Sequence, residues 1–162
     1  DGALAVAISL RLGVVALAER FPFPERVEPA RYAALLAEID AQLARELPMA
    51  IASARVDTLV GTAGTVTTLA ALDLGLSEYN AARVHGHALT GASVARQRAR
   101  LATLDLAGRA ALPCLEPGRA DLIVPGVAVV EATMGRLRCE RLIVSDFGLR
   151  EGILAELAAG EV

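Results

Sequence analysis

The sequence predicts a single α/β domain, and three observations carry that prediction. Short β-branched or period-two segments alternate along the chain with longer stretches of helical periodicity. Residues 58–60 run through Gly61-Thr62-Ala63-Gly64-Thr65 straight into an apolar helical stretch. Near the other end, Leu142-Ile143-Val144 meets Ser145-Asp146-Phe147-Gly148 and a second helical stretch from Leu149. Both junctions put ligand contacts at strand C-terminal ends, where an open α/β sheet binds its ligands.

In chain order, residues 3–10 read as a first strand, because Leu4, Val6, Ile8 and Leu10 recur at period two. Asp1-Gly2 before it is a hairpin-turn pair, which predicts a strand that has lost its neighbour. Gly13 ends that strand, and residues 14–20 are assigned to a short helix. Phe21-Pro22-Phe23-Pro24 then forces extended backbone, since a residue before proline is pushed out of the helical region. Pro29 suits a first helical turn, and Tyr32, Leu35, Leu36, Ile39, Leu43 and Leu47 mark that helix's apolar stripe. After Pro48 the helical register resumes through Ala54.

A strand is predicted at 58–60 and a helix at 65–74, ended by Gly75. Residues 80–88, containing His85-Gly86-His87, read as a polar connection. Thr90 begins a helix whose apolar side carries Val94, Leu101 and Leu104, with Arg96, Arg98 and Arg100 most simply a solvated face. Residues 112–118 are a break, rich in proline and glycine. An apolar helix is predicted over 119–137 with Pro125 and Gly126 near its start, then a strand at 142–144 and the closing helix.

Composition narrows the function classes. The 162 residues suffice for one domain with a real core and are short for two. Hydrophobic residues make up 54%, yet no uninterrupted apolar run approaches the ~20 residues of a membrane span, so no membrane partner is expected. No secretory leader pattern is visible, and the expected location is cytoplasmic. A net charge of −3, with its basic residues spread out, argues against a nucleic-acid footprint. Cys114 and Cys139 are far apart in sequence and read as reduced, space-filling thiols.

The two junctions carry the chemistry. Gly61 and Gly64 let the main chain approach a ligand without a Cβ in the way, and the following helix offers unpaired N–H groups and the positive end of its dipole. An oxyanion, above all a phosphate, is the ligand this favours, although a tight strand-to-helix turn needs such glycines as well. Thr62 and Thr65 can offer hydroxyls to phosphate or cap the helix. Asp146 can serve as base or ligand, or cap the helix near Leu149. Arg119 carries a guanidinium suited to bidentate phosphate contact. Arg150 can face the cleft or pair outside with Glu151. His85 and His87 are assigned structural hydrogen bonds; with no Cys or carboxylate nearby in sequence to complete a donor set, no metal site is predicted.

Four blocks in collinear order resemble the Ppx/GppA phosphatases, the exopolyphosphatases and guanosine pentaphosphate phosphohydrolases. They are Gly61-Thr62-Ala63-Gly64-Thr65 with Val66-Thr67-Thr68-Leu69; His85-Gly86-His87 with Leu89-Thr90; Leu112-Pro113 through Pro117-Gly118-Arg119-Ala120-Asp121; and Ser145-Asp146 with Gly148-Leu149-Arg150-Glu151-Gly152. Ser9-Leu10 with Leu12-Gly13 adds to them near the start, and the likeness spans nearly the whole chain. The resemblance implies a ribonuclease H-like half of the actin, sugar kinase and heat-shock ATPase superfamily, a mixed sheet with flanking helices, here lacking its first strands. It matches the second half of the family only.

The family's Asp-x-Gly-Gly-Gly-Ser loop and catalytic carboxylates precede the region that corresponds to this chain, so no catalytic residue is expected within it. By itself the chain is expected to be inactive. The resemblance implies phosphate or nucleotide contacts at Gly61, Thr62, Gly64, Thr65, Arg119, Ser145, Asp146, Gly148 and Arg150. It also implies Mg²⁺ in the complete protein, with none bound by this chain alone, and polyphosphate or guanosine pentaphosphate as substrate. A homo-oligomer is expected, through the exposed first strand or in the complete protein. Two other readings stay open, a non-catalytic phosphate- or nucleotide-binding module and a kinase of the same superfamily.

Overall fold

A computed structural model describes residues 4–160. Three short strands form one mixed sheet: β1 (Leu59–Gly61), β2 (Ala88–Thr90) and β3 (Arg141–Val144), in the order β1-β3-β2. β1 runs parallel to β3 and β2 antiparallel to it. The register places Leu142 opposite both Leu59 and Leu89, so these apolar side chains share the core face. Val60 stands on the opposite face and is exposed.

Nine helices surround this sheet among the described residues: α1 (Val14–Arg20), α2 (Pro29–Glu46), α3 (Met49–Ala52), α4 (Gly64–Asp73), α5 (Ala81–Val84), α6 (Gly91–Ala102), α7 (Leu106–Ala110), α8 (Ile123–Arg136) and α9 (Leu149–Ala159). α4 follows β1 directly and packs against β2, β3, α6 and α8. Its Leu69, Ala70 and Ala71 are completely buried, and the two alanines let neighbouring elements close in. α8 is apolar enough to be covered on several sides and lies between α4, α6 and α2. Gly126 on α8 leaves the space that the Thr65 side chain of α4 fills; a Cβ there would come within 2.6 Å of Thr65 Oγ1.

α2 presents Tyr32, Leu35, Ile39 and Leu43 to the core at helical spacing, with Pro29 in its first turn. The Tyr32 hydroxyl donates to Glu131 Oε2 at 2.8 Å, tying α2 to α8. Thr90 caps α6 through a reciprocal pair with Ser93. Arg109, completely buried, donates to the carbonyls of Leu104 and Glu25 and so pins the segment after α1 to the α6–α7 junction.

Several expectations need correction. The strand expected at 3–10 does not form over its described part: residues 4–10 have no ladder partner among the described residues, and Leu4, Val6 and Ile8 are exposed. Period-two patterning prepares a strand, but the backbone groups need a neighbour to form one. The connection at 80–88 instead holds α5 and the start of β2. The helix expected from 119 starts at Ile123, after a 3₁₀ turn at Pro117–Arg119.

Candidate functional site

Because β1 and β3 are adjacent and parallel, the bends that follow them lie side by side. The Ser145 N–H donates to the Gly61 carbonyl at 2.7 Å, and the Thr62 hydroxyl donates to the Phe147 carbonyl at 2.8 Å. The glycine turn and the Ser145–Gly148 bend therefore form one continuous surface at the C-terminal edge of the sheet.

In the first bend, β1 ends at Gly61, where a Cβ would press on Leu142 Cδ2 at 2.9 Å. The reversal into α4 comes at Ala63, with φ 73° and ψ 172°, a region that a side chain disfavours. No side chain caps α4: Thr67 donates back to the carbonyls of Ala63 and Gly64, and Thr65 is turned toward α8. The capping role considered for Thr62 and Thr65 is thus not found. Gly64, at the N-terminus of α4, and Arg119 together line a cleft of ≈ 490 Å³ with Thr67, Tyr79, Cys114 and Glu116, and a neighbouring hollow of ≈ 410 Å³ with Thr62, Ala63, Thr65 and Val66; the first amides of α4 have no intrahelical acceptor.

Arg119 reaches this cleft from the 3₁₀ turn. Its Nη1 lies against Gly64, where a Cβ would overlap it, and its Nε pairs with Glu116 Oε2 at 2.8 Å. The guanidinium thus sits over the mouth of the glycine turn, and Gly64 is needed for that approach.

The second bend is already satisfied by its own side chains. Ser145 Oγ donates to the Phe147 carbonyl at 2.9 Å and accepts from the Phe147 N–H at 3.2 Å. Glu151 accepts from the Gly148 N–H at 2.7 Å, and that bond holds its carboxyl below the usual carboxylate range. The amide at Gly148 is therefore taken. Asp146 does not cap α9; it accepts the Tyr79 hydroxyl, and its own N–H donates to His85 Nδ1 at 3.3 Å. Arg150 is 91% exposed and lies 4.0 Å from Glu151, on the outside. Of the residues singled out in the sequence, Gly61, Thr62, Gly64 and Arg119 gather around one mouth, with Ser145, Asp146 and Gly148 beside them. Thr65 lines a hollow with Thr62, Gly64 and Arg119, its side chain against Gly126, and Arg150 faces out.

The two histidines separate. His85 stacks on Phe147 with ring centroids 4.5 Å apart, whereas His87 pairs with Asp73 at 3.1 Å, where Arg96 also converges. Among the described residues no three His, Cys, Asp or Glu side chains gather as a metal cluster. No described helix is long and apolar enough to cross a membrane. Tyr79, which the sequence left unmarked, lines the cleft and binds Asp146 across 67 residues of chain; only the folded geometry reveals it.

The sequence profile described as the Ppx/GppA phosphatase family matches residues 2–161. The chain is 37% identical over 138 residues to a protein named exopolyphosphatase 2 from Mycobacterium tuberculosis, covering 83% of this chain but only 38% of that relative. A crystal structure of the Aquifex aeolicus Ppx/GppA family member superposes with a TM-score of 0.87 at 30% identity, over 98% of this chain and 50% of that one. An exopolyphosphatase from Cytophaga hutchinsonii has the same fold, with a TM-score of 0.84 at 22% identity, over 98% and 51%. The chain therefore spans about half the length of the solved relatives, or less of the curated ones.

Proposed function

The chain belongs to the Ppx/GppA phosphatase family, and from that premise we propose that it forms one wall of the phosphate cleft of a phosphohydrolase. That enzyme removes terminal phosphate from inorganic polyphosphate or guanosine pentaphosphate. The observation that carries the reading is the uncapped N-terminus of α4 facing the same cleft as the Arg119 guanidinium. Backbone N–H groups there can donate to an oxyanion without a titrating partner, and the guanidinium adds a bidentate, permanently charged contact.

The rest of the chemistry is divided by what these residues can do. Gly64 lets the Arg119 guanidinium lie against the main chain, and Gly61 lets β1 pack closely on Leu142. Thr62, whose hydroxyl is already given to Phe147, holds the two bends together. Hydrolysis requires a positioned water and a base. The carboxylates nearest the turn are occupied: Glu116 by Arg119 and Asp146 by Tyr79. Mg²⁺, which such hydrolysis commonly uses, is assigned no ligand among the described residues, where no three His, Cys, Asp or Glu side chains gather.

The free Cys114 and Cys139 accord with a reducing, cytoplasmic location. Self-association through residues 4–10 is part of the same proposal, since Leu4, Val6 and Ile8 stand in solvent.

Calorimetric titration with inorganic tripolyphosphate tests the cleft. The chain binds it, and Arg119→Gln weakens binding by about tenfold or more, the size of one lost charge-assisted contact. A complete enzyme carrying this half releases phosphate from one of the two substrates with Mg²⁺ present. Release from neither would refute the hydrolase reading, while binding without release would favour a sensor.

A further inference from the structure

The Arg119 guanidinium rests against Gly64, the first residue of α4. A fixed cation at the positive end of a helix dipole is unfavourable by itself, and no side chain caps this helix to offset it. What neutralises the arrangement is Glu116, whose Oε2 lies 2.8 Å from Arg119 Nε, three residues back in the same turn. Glu116 lines the same cleft as Gly64, Thr67 and Arg119, so its carboxylate competes for the potential that an incoming oxyanion would use. It also takes the Nε edge of the guanidinium, one of the two edges that can hold a phosphate bidentately.

We infer that Glu116 is a built-in competitor of the anionic ligand. With the cleft empty its carboxylate screens Arg119 against the α4 N-terminus. A bound phosphoryl group displaces it, takes over Arg119 and satisfies the first-turn amides. This regulation rests on the phosphate reading of the cleft. It sets an affinity threshold: a ligand of low charge gains little by displacing the carboxylate, while a polyanion gains enough. Glu116 and Arg119 are both exposed, 73% and 53% at their side chains, so the carboxylate has room to swing into solvent and the threshold is the modest one of an exposed ion pair.

The test titrates inorganic tripolyphosphate and orthophosphate into the unmodified chain, Glu116→Gln and Arg119→Gln, in low and high salt. Glu116→Gln binds both about three- to tenfold tighter, the size expected for removing one unit charge a few ångström from a bound anion. The proportional gain is larger for orthophosphate, and it shrinks in high salt. Equal or weaker binding by Glu116→Gln overturns the inference and makes Glu116 a positioning partner of Arg119 instead. If Arg119→Gln binds as well as the unmodified chain, the phosphate reading of the cleft itself fails. No binding by either the unmodified chain or Glu116→Gln overturns both.

Discussion

Tyr79 shows at the scale of one residue what the folded cleft adds. Partial burial, and then the hydrogen bond to Asp146, push its phenol from 10.0 up to about 12. Tyr32 is pushed up as well, by burial first and then by Glu131. Because the fold favours the neutral phenol, stability should hold up to pH 10 and fall as pH rises from there toward 12. An alkaline absorbance titration should show no phenolate until well above pH 10, and Tyr79→Phe should delete the earlier of two steps. Phenolate forming at the ordinary value would deny the Asp146 contact. In the sequence Tyr79 is a lone aromatic among polar neighbours with no periodicity to mark it, and its partner is 67 positions away. Arg119 was legible because the residue type suits phosphate and its block resembles a family. Arg150, from another of the resembling blocks, faces out, on a helix of which no residue is buried.

At the scale of the element, the strand, glycine turn and helix were readable from Gly61 and Gly64, but not for the expected reason alone. Those two glycines supply space, against Leu142 and Arg119, whereas the positive φ falls on Ala63. Relieving a side chain held there is worth about 1–3 kcal/mol, offset by about 0.5–1 kcal/mol of extra glycine entropy. Ala63→Gly is therefore expected to stabilise the chain by about 1 kcal/mol in urea unfolding, and a loss of stability would show the turn to be relaxed. Long amphipathic elements such as α2 and α6 announced themselves through their stripes. β2 did not, because three residues following a His-Gly-His connection carry too little pattern. Residues 4–10 carried the pattern without the neighbour that would make them a strand.

For the whole molecule, the order of elements and the α/β class were visible because strand-like and helical segments alternate along the chain, and the four blocks in collinear order pointed to the family. What faces outward was not. Leu149, Leu154 and Leu157 of α9 are more than half exposed, no residue of that helix is buried, and Leu4, Val6 and Ile8 also stand in solvent. Such surface drives association. Sedimentation velocity should show concentration-dependent self-association that Ile8→Glu combined with Leu154→Glu abolishes; a monomer at all concentrations would contradict it. α9 also carries a mechanical consequence. It leaves β3 through the Ser145–Gly148 bend, whose Phe147 carbonyl is clasped by Thr62 in the glycine turn. Any load on that helix is thereby transmitted to the turn, which makes the helix a lever and the Thr62 clasp its fulcrum.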